Sequence, residues 1–280
     1  MRLVAALCCL ILFSPGGNRG AHGQASSTPV IIIQLSDIHL GEVRAPHAAE
    51  NLRRAVKMSN TRHADAVVLT GDIGDKAEDW EQARAILNEL DSPLYYVPGN
   101  HDVHTRDVSR YRTAFGADYY RFSVKNVDVI VIDSQLFGNY DKYEANTLLP
   151  LPWETEQEAN KMLGWLEGLA ANVTGNITIG LQHIPAARDG KFPPDTKPYW
   201  AITEPYRSRE IDLLHRLGIR HMLVGHWHYG RVFEYQGIAW HVGPATSWLP
   251  WGGELGFAVH TITPDGNVKT EFVDLSGAQP

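Results

Sequence analysis

The chain has almost no cysteine: of its 280 residues only the adjacent Cys8 and Cys9 are of that type. Both lie in the apolar run Leu3 to Phe13, which follows Met1-Arg2 and precedes small and polar residues through Gly23. This is the layout of a secretory signal peptide. Residues 1–23 are therefore expected to direct export to a periplasmic or extracellular space. Cleavage is expected between Ala21 and Ala25; an N-terminal anchor left uncut is the rival reading. The run is short for a bilayer span. A mature chain without cysteine excludes a disulfide framework, a cysteine nucleophile and a thiolate metal site.

Basic charge is scarce as well. Asp and Glu outnumber Lys and Arg by 32 to 25, for a net charge of −7, and removal of Arg2 and Arg19 with the leader makes it −9. There is no block of like charge, no low-complexity tract and no internal repeat. An acidic body excludes bulk binding of nucleic acid and, once the leader is cleaved, of an anionic membrane. An anionic substrate then needs positive charge supplied locally. Asn172-Val-Thr and Asn176-Ile-Thr are glycosylation sequons, relevant only in a eukaryotic secretory pathway.

What is present is a set of continuous apolar runs: Val30 to Leu35, Ala66 to Thr70, Leu94 to Val97, Ile177 to Leu181 and His221 to Val224. They alternate with stretches of helical periodicity, His47 to Ser59, Glu78 to Leu90, Thr155 to Ala171 and Glu204 to Leu217. Apolar strands alternating with helices predict a mostly parallel sheet covered on both faces. Tyr119 to Val124, Val127 to Asp133, Gly230 to Tyr235, Ile238 to Val242, Phe257 to Ile262 and Val268 to Val273 read as strands paired through tight turns. The expected architecture is one α/β domain over residues 30–275, with two mixed sheets and helices outside them.

Each buried run ends in polar residues: Ser36-Asp37-Ile38-His39, Gly71-Asp72, Gly99-Asn100-His101-Asp102, Gln182-His183 and Gly225-His226-Trp227-His228. Ligands of open α/β sheets gather at the carboxyl ends of strands. Any one of these pieces reads as an ordinary turn or a core histidine; five in order, each at a strand end, point to one shared site. Asp37, His39, Asp72, Asn100, His183, His226 and His228 offer oxygen and imidazole donors without sulfur, a set suited to Mn, Fe or Zn. Seven donors exceed one tetrahedral ion and fit two ions if one carboxylate bridges. Asp37 and His39 are two residues apart, as are His226 and His228, so each pair is expected to share one side of an extended segment.

Together, Asp37-x-His39, Gly71-Asp72, Gly99-Asn100-His101-Asp102, His183 and Gly225-His226-x-His228 resemble the five motifs of the calcineurin-like metallophosphoesterases. The resemblance runs from about Val30 onward and implies a four-layer α/β/β/α sandwich. It implies that Asp37, His39, Asp72 and His228 hold a first divalent or transition-metal ion. Asp72 would bridge, and Asn100, His183 and His226 would complete a second ion. His101 matches the histidine that contacts the phosphate and protonates the leaving oxygen. Phe115 to Phe122, Ile132 to Phe137 and Leu181 to Ala186 are similar to the calcineurin-like phosphoesterase domain-containing group, described as protein serine/threonine phosphatases. Where purple acid phosphatases carry an iron-binding Tyr, this chain has Asp75. In the Ser/Thr phosphatases an Asp at that position orients the catalytic histidine, which makes Asp75 the expected partner of His101; a solvated loop acid is the other reading. Asp102 is expected to fix the loop.

The expected activity is hydrolysis of a phosphate ester by a metal-bridging hydroxide, without a phosphoenzyme, on a phosphoprotein or a small phosphorylated molecule. Cyclic-nucleotide or other phosphodiester hydrolysis is the alternative, and a non-catalytic binding scaffold a lesser one. Gly138 to Trp153 reads as a functional loop, Trp248 and Trp251 as rim or as sheet-edge packing, and Arg188 and His104 as further rim residues.

Overall fold

A computed structural model describes residues 28–103, 108–147, 150–173, 176–193, 195–250 and 252–276. The leader, His104 and Trp251 lie outside them. Two sheets face each other. The first has five strands in the order β11 (Val268–Asp274), β10 (Gly256–Ile262), β1 (Val30–Leu35), β2 (Ala66–Thr70), β3 (Leu94–Val97). The second has six, ordered β4 (Tyr120–Val124), β5 (Val127–Val131), β6 (Ile177–Leu181), β7 (His221–Val224), β9 (Ile238–Val242), β8 (Arg231–Tyr235). β1, β2 and β3 are parallel, as are β5, β6, β7 and β9; the hairpin partners β4, β8, β10 and β11 run antiparallel to their neighbours.

Three apolar clusters correspond to the three interfaces of a four-layer sandwich. Val30, Ile32, Ala66, Val68, Val129, Ile179 and Leu223 fill the space between the sheets. Leu52 and Val56 of α1 (Ala48–Asn60) and Trp80 and Ile86 of α2 (Ala77–Leu87) cover the outer face of the first sheet. Met162, Leu163 and Leu166 of α4 (Trp153–Ala170) and Leu213 and Leu214 of α5 (Tyr206–Arg216) cover the second. Each large side chain buried this way contributes about 1.5–3 kcal/mol. A short helix, α3 (Val108–Phe115), which the periodicity does not announce, buries one residue, Tyr111.

Register is what makes the strand ends useful. Leu35 pairs with Leu69, Thr70 with Val97, and Leu181 with Leu223. Parallel neighbours thus finish level with one another, and the residues just past them enter a common space between the two sheets.

Candidate metal centre

The five segments meet there. Asp37, His39, Asp72 and His228 form one buried group whose donor atoms lie within 4.8 Å of each other, and Asp72, His183 and His226 form a second. Asp72 belongs to both. Its Oδ2 is 3.5 Å from His39 Nε2 and 3.2 Å from His183 Nε2, so a single oxygen stands between the groups. Asn100 joins the second group, with Oδ1 3.2 Å from His183 Nε2 and its amide nitrogen donating to Tyr199 Oη at 3.0 Å.

The backbone that delivers these donors is not extended. Asp37, His39, Asp72, His226 and His228 all have positive φ, from +49° to +71°. The expectation that i and i+2 share a side because the chain is extended is therefore corrected: left-handed residues turn the chain, so that Asp37 and His39 enter one donor group while His226 and His228 go to different groups. Such conformations cost about 1 kcal/mol or more per non-glycine residue and persist where the surroundings over-determine them. Here the surroundings are hydrogen bonds between loops: Asp37 N to Gly71 O, His39 N to Asp72 O and Leu40 N to Ile73 O, at 2.9–3.1 Å. Glycines permit the close approach. A Cβ on Gly99 would lie 2.2 Å from Asp72 Oδ1, and one on Gly225 2.2 Å from Ser36 Oγ and 2.9 Å from Asp37 Oδ2.

Asp102 acts on the loop, as expected. Its carboxylate accepts from the N–H groups of Asp72, Ile73 and Gly99, each at 2.9 Å, and of Gly74 at 3.3 Å. Trp80 ties α2 to the same turn by donating to Gly74 O at 2.7 Å. Asp75, not Asp102, meets the histidine: its Oδ1 is 2.8 Å from His101 Nδ1.

The chemistry of the donor set fits cations. His183 and His228 place Nδ1 2.7 Å from the carbonyls of Thr70 and Trp248, and His226 places Nε2 2.9 Å from the carbonyl of Tyr199. A carbonyl only accepts, so each ring donates there and turns its other nitrogen, a lone pair, into the site. For His183 that nitrogen faces Asp72 Oδ2 and Asn100 Oδ1, two acceptors that call for a proton or a cation between them. His39 Nε2 and His228 Nε2 face each other at 3.1 Å. Acceptors converging on acceptors in a buried space are what a bound cation resolves.

The electrostatics show the same demand for positive charge: burial opposes charge on His183, yet Asp72 outweighs it and pushes that ring up to about 9, so with no ion bound a proton stands where a cation would. Burial pushes His39 and His226 down to about 3, helped by the neighbouring imidazoles, so both are neutral donors. Burial alone would raise the Asp37 carboxyl, but His228 holds it at about 2. Burial opposes charge on His101, yet Asp72 and then Asp75 outweigh it and push that ring up to about 9.

Beside the centre is a cleft of about 450 Å³. Asn100, His101, His226 and His228 line it together with Tyr140, Tyr143, Tyr199, Trp200 and Trp248. Trp248 is both rim and packing: its ring meets His228 and His39 edge-on at 5.0 and 5.7 Å while also bordering the first sheet's core. The loop after Gly138 contributes Tyr140, Asp141, Tyr143 and Glu144. Arg188 is not in this cleft; it donates to Pro193 O and lines a separate depression. The motifs gave no sign of Arg44, the one Lys or Arg among the described cleft residues. Its guanidinium lies 4.0 Å over the Trp248 ring and is held by Glu42 through Nε and Nη2, at 2.9 and 3.1 Å. Only its place shortly after His39 could have drawn attention to it.

Residues 31–230 match the family model of the calcineurin-like phosphoesterases. The chain is 22% identical over 223 residues to a Fibrobacter succinogenes protein named probable cyclic nucleotide phosphodiesterase, covering 76% of this chain and 78% of that one. It is 25% identical over 193 residues to a Bos taurus protein named serine/threonine-protein phosphatase CPPED1, covering 67% of this chain and 56% of the relative. A solved dimetal phosphatase from Danio rerio superposes with a TM-score of 0.65 at 15% identity, over 88% of this chain and 96% of that one, a likeness of fold.

Proposed function

The chain belongs to the calcineurin-like phosphoesterases, and from that premise we propose that it hydrolyses small phosphate monoesters. Two divalent ions in the paired donor groups would supply Lewis acidity and an activated water. The residue roles proposed are those of the two groups: Asp37, His39, Asp72 and His228 for one ion, Asp72, Asn100, His183 and His226 for the other. His101, at the cleft and anchored by Asp75, is placed to give a proton to the ester oxygen as it leaves. Asp75 holds Nδ1 and so presents Nε2 as the acid.

The observation that carries the monoester reading is Arg44. A monoester presents a dianion with three non-bridging oxygens, a diester a monoanion with two. A fixed guanidinium beside the centre matches the extra charge, and Glu42 leaves its Nη1 uncommitted among the described residues. The cleft's volume suits a small molecule. A second reading, a phosphodiester of a planar alcohol such as a cyclic nucleotide, is favoured by the aromatic walls Tyr143, Tyr199 and Trp248. Rates on an aryl phosphate monoester, the matching diester, nucleotides, cyclic nucleotides and a phosphopeptide separate the readings. Arg44→Ala should weaken monoester kcat/KM by about 10-fold or more, the worth of a charged hydrogen bond, and leave the diester within about 3-fold, well under that loss. Equal losses would overturn the monoester assignment.

We also propose export, on the strength of the leader-like residues 1–23, with 30–275 as the mature domain. Among the described residues no helix is long and apolar enough to cross a membrane. Mass spectrometry of the protein from its native host should find a chain beginning after residue 20; a chain beginning at Met1 would contradict export by cleavage.

A further inference from the structure

A line of polar side chains crosses the apolar space between the sheets. It starts at half-buried His221 on β7, whose Nδ1 is 3.0 Å from Nε2 of His241 on β9. His241 Nδ1 is 2.7 Å from Thr270 Oγ1 on β11, and that oxygen is 2.9 Å from Nδ1 of His260 on β10. His260 Nε2 is 2.9 Å from Gln34 Oε1 on β1. Gln34 Nε2 is 2.8 Å from both Val224 O and Thr70 Oγ1. Thr70 Oγ1 is 2.9 Å from Ser36 Oγ, and Ser36 Oγ is 2.5 Å from Asp37 Oδ2. His241, His260, Gln34, Thr70 and Ser36 are buried.

The direction of every bond follows from one anchor. Val224 O can only accept, so Gln34 points its NH₂ there and its oxygen at His260. His260 must then donate from Nε2. Burial keeps it neutral, as it keeps His241, pushed down to about 3, so each ring carries one proton. His260 Nδ1 accordingly accepts from the Thr270 hydroxyl, Thr270 accepts from His241 Nδ1, and His241 Nε2 accepts from His221. On the other side Gln34 donates to Thr70, Thr70 to Ser36, and Ser36 to Asp37. Seven hydrogen bonds thus point the same way, from the surface to a carboxylate of the metal centre. A side-chain amide does not pass protons along as an imidazole does, so the line transmits orientation and not charge.

We propose that Gln34, His241, His260 and Thr270 are positioning residues for the metal centre. His226 N lies 3.2 Å from both Asp37 oxygens, so the Ser36 hydroxyl, held by the polarised line as a donor onto Oδ2, is what distinguishes them and makes Oδ1, 3.2 Å from His228 Nε2, the oxygen offered to an ion. Partners of this outer kind set ligand orientation and basicity. The inference rests on the reading of Asp37, His39, Asp72 and His228 as an ion site, and not on the substrate.

Thr270 is the informative position, because it lies on an edge strand, is partly exposed, and touches no metal-binding residue. Thr270→Val keeps the shape and deletes the hydroxyl; Thr270→Ser keeps the hydroxyl. The metal-free full chain is titrated with Co²⁺, reading affinity and the visible ligand-field bands, with circular dichroism confirming the fold. Thr270→Val should weaken one of the two Co²⁺ sites by roughly 10-fold and shift its bands, and Thr270→Ser should restore both. Thr70→Val, nearer the centre, should weaken it further. Co²⁺ binding and bands in Thr270→Val and Thr70→Val that match the wild type overturn the proposal, as does a Ser variant as impaired as the Val variant. A folded wild type that takes up no Co²⁺ overturns the metal-centre reading itself.

Discussion

The metal centre and the cleft beside it share residues but are built on different principles. The centre hangs from strand ends of matched register, its five left-handed backbone positions fixed by hydrogen bonds between loops, by Asp102 and by glycines with no room for a side chain. The cleft walls come from loops: Arg44 after the first motif, Tyr140 and Tyr143 after β5, Tyr199 and Trp200 after β6, Trp248 after β9. Chemistry is set by the part that cannot move, and substrate choice by the part that can vary.

That division should appear as a gradient of effects. Asp72 is shared by both donor groups, so Asp72→Ala should remove both ions together and abolish hydrolysis; elemental analysis of the folded variant checks this, and retention of one full ion would break the bridging assignment. His101→Ala should leave metal content unchanged and lower turnover by about 10²–10⁴, the range for a lost general acid. Asp75→Asn should do the same by roughly 10-fold, and Asp102→Asn should instead disturb metal content, since it loosens the turn carrying Asp72. Silence at Asp75 with a pure turnover defect at Asp102 would reverse the two roles.

The smallest effect on activity is expected from Glu210, beneath the second sheet on α5. Burial pushes its carboxyl up from 4.5 to about 8, opposed by the neighbouring Gln182 side chain. The folded protein therefore keeps the proton where the unfolded chain has lost it. Stability is whole below about pH 4.5 and falls as pH rises to about 8, by roughly 5 kcal/mol in this one group's contribution. Glu210→Gln should raise the melting temperature at pH 8 by several degrees, do little near pH 4.5, and leave kcat near wild type. An unchanged pH dependence of Tm would contradict the buried-acid account.

The sequence was most legible where backbone and chemistry coincide. Continuous apolar runs place all five ligand-bearing strands, and the Asp, Asn and His residues beyond them are the donors that meet. Extended geometry does not describe Asp37–His39 or His226–His228, and the second pair divides between the two donor groups, because positive φ at non-glycine residues is imposed by neighbouring loops that no local pattern reports. Arg44 and Tyr199 escaped notice for a related reason: they line the cleft by tertiary placement and lie in no motif. Arg188, expected at the rim, turns to Pro193 O instead. The polar line from His221 to Ser36 was equally hidden, since its members are drawn from six strands and look in sequence like isolated core histidines and hydroxyls.

The account depends most on two ions held by one bridging carboxylate. The direct measurement is the metal content of the purified, folded wild-type chain after reconstitution with Mn²⁺, set beside the His226→Ala variant. About two ions per wild-type chain are expected, and about one in the variant, held by Asp37, His39, Asp72 and His228. A folded wild type that retains one ion or none, or a variant that still binds as many as the wild type, would contradict it.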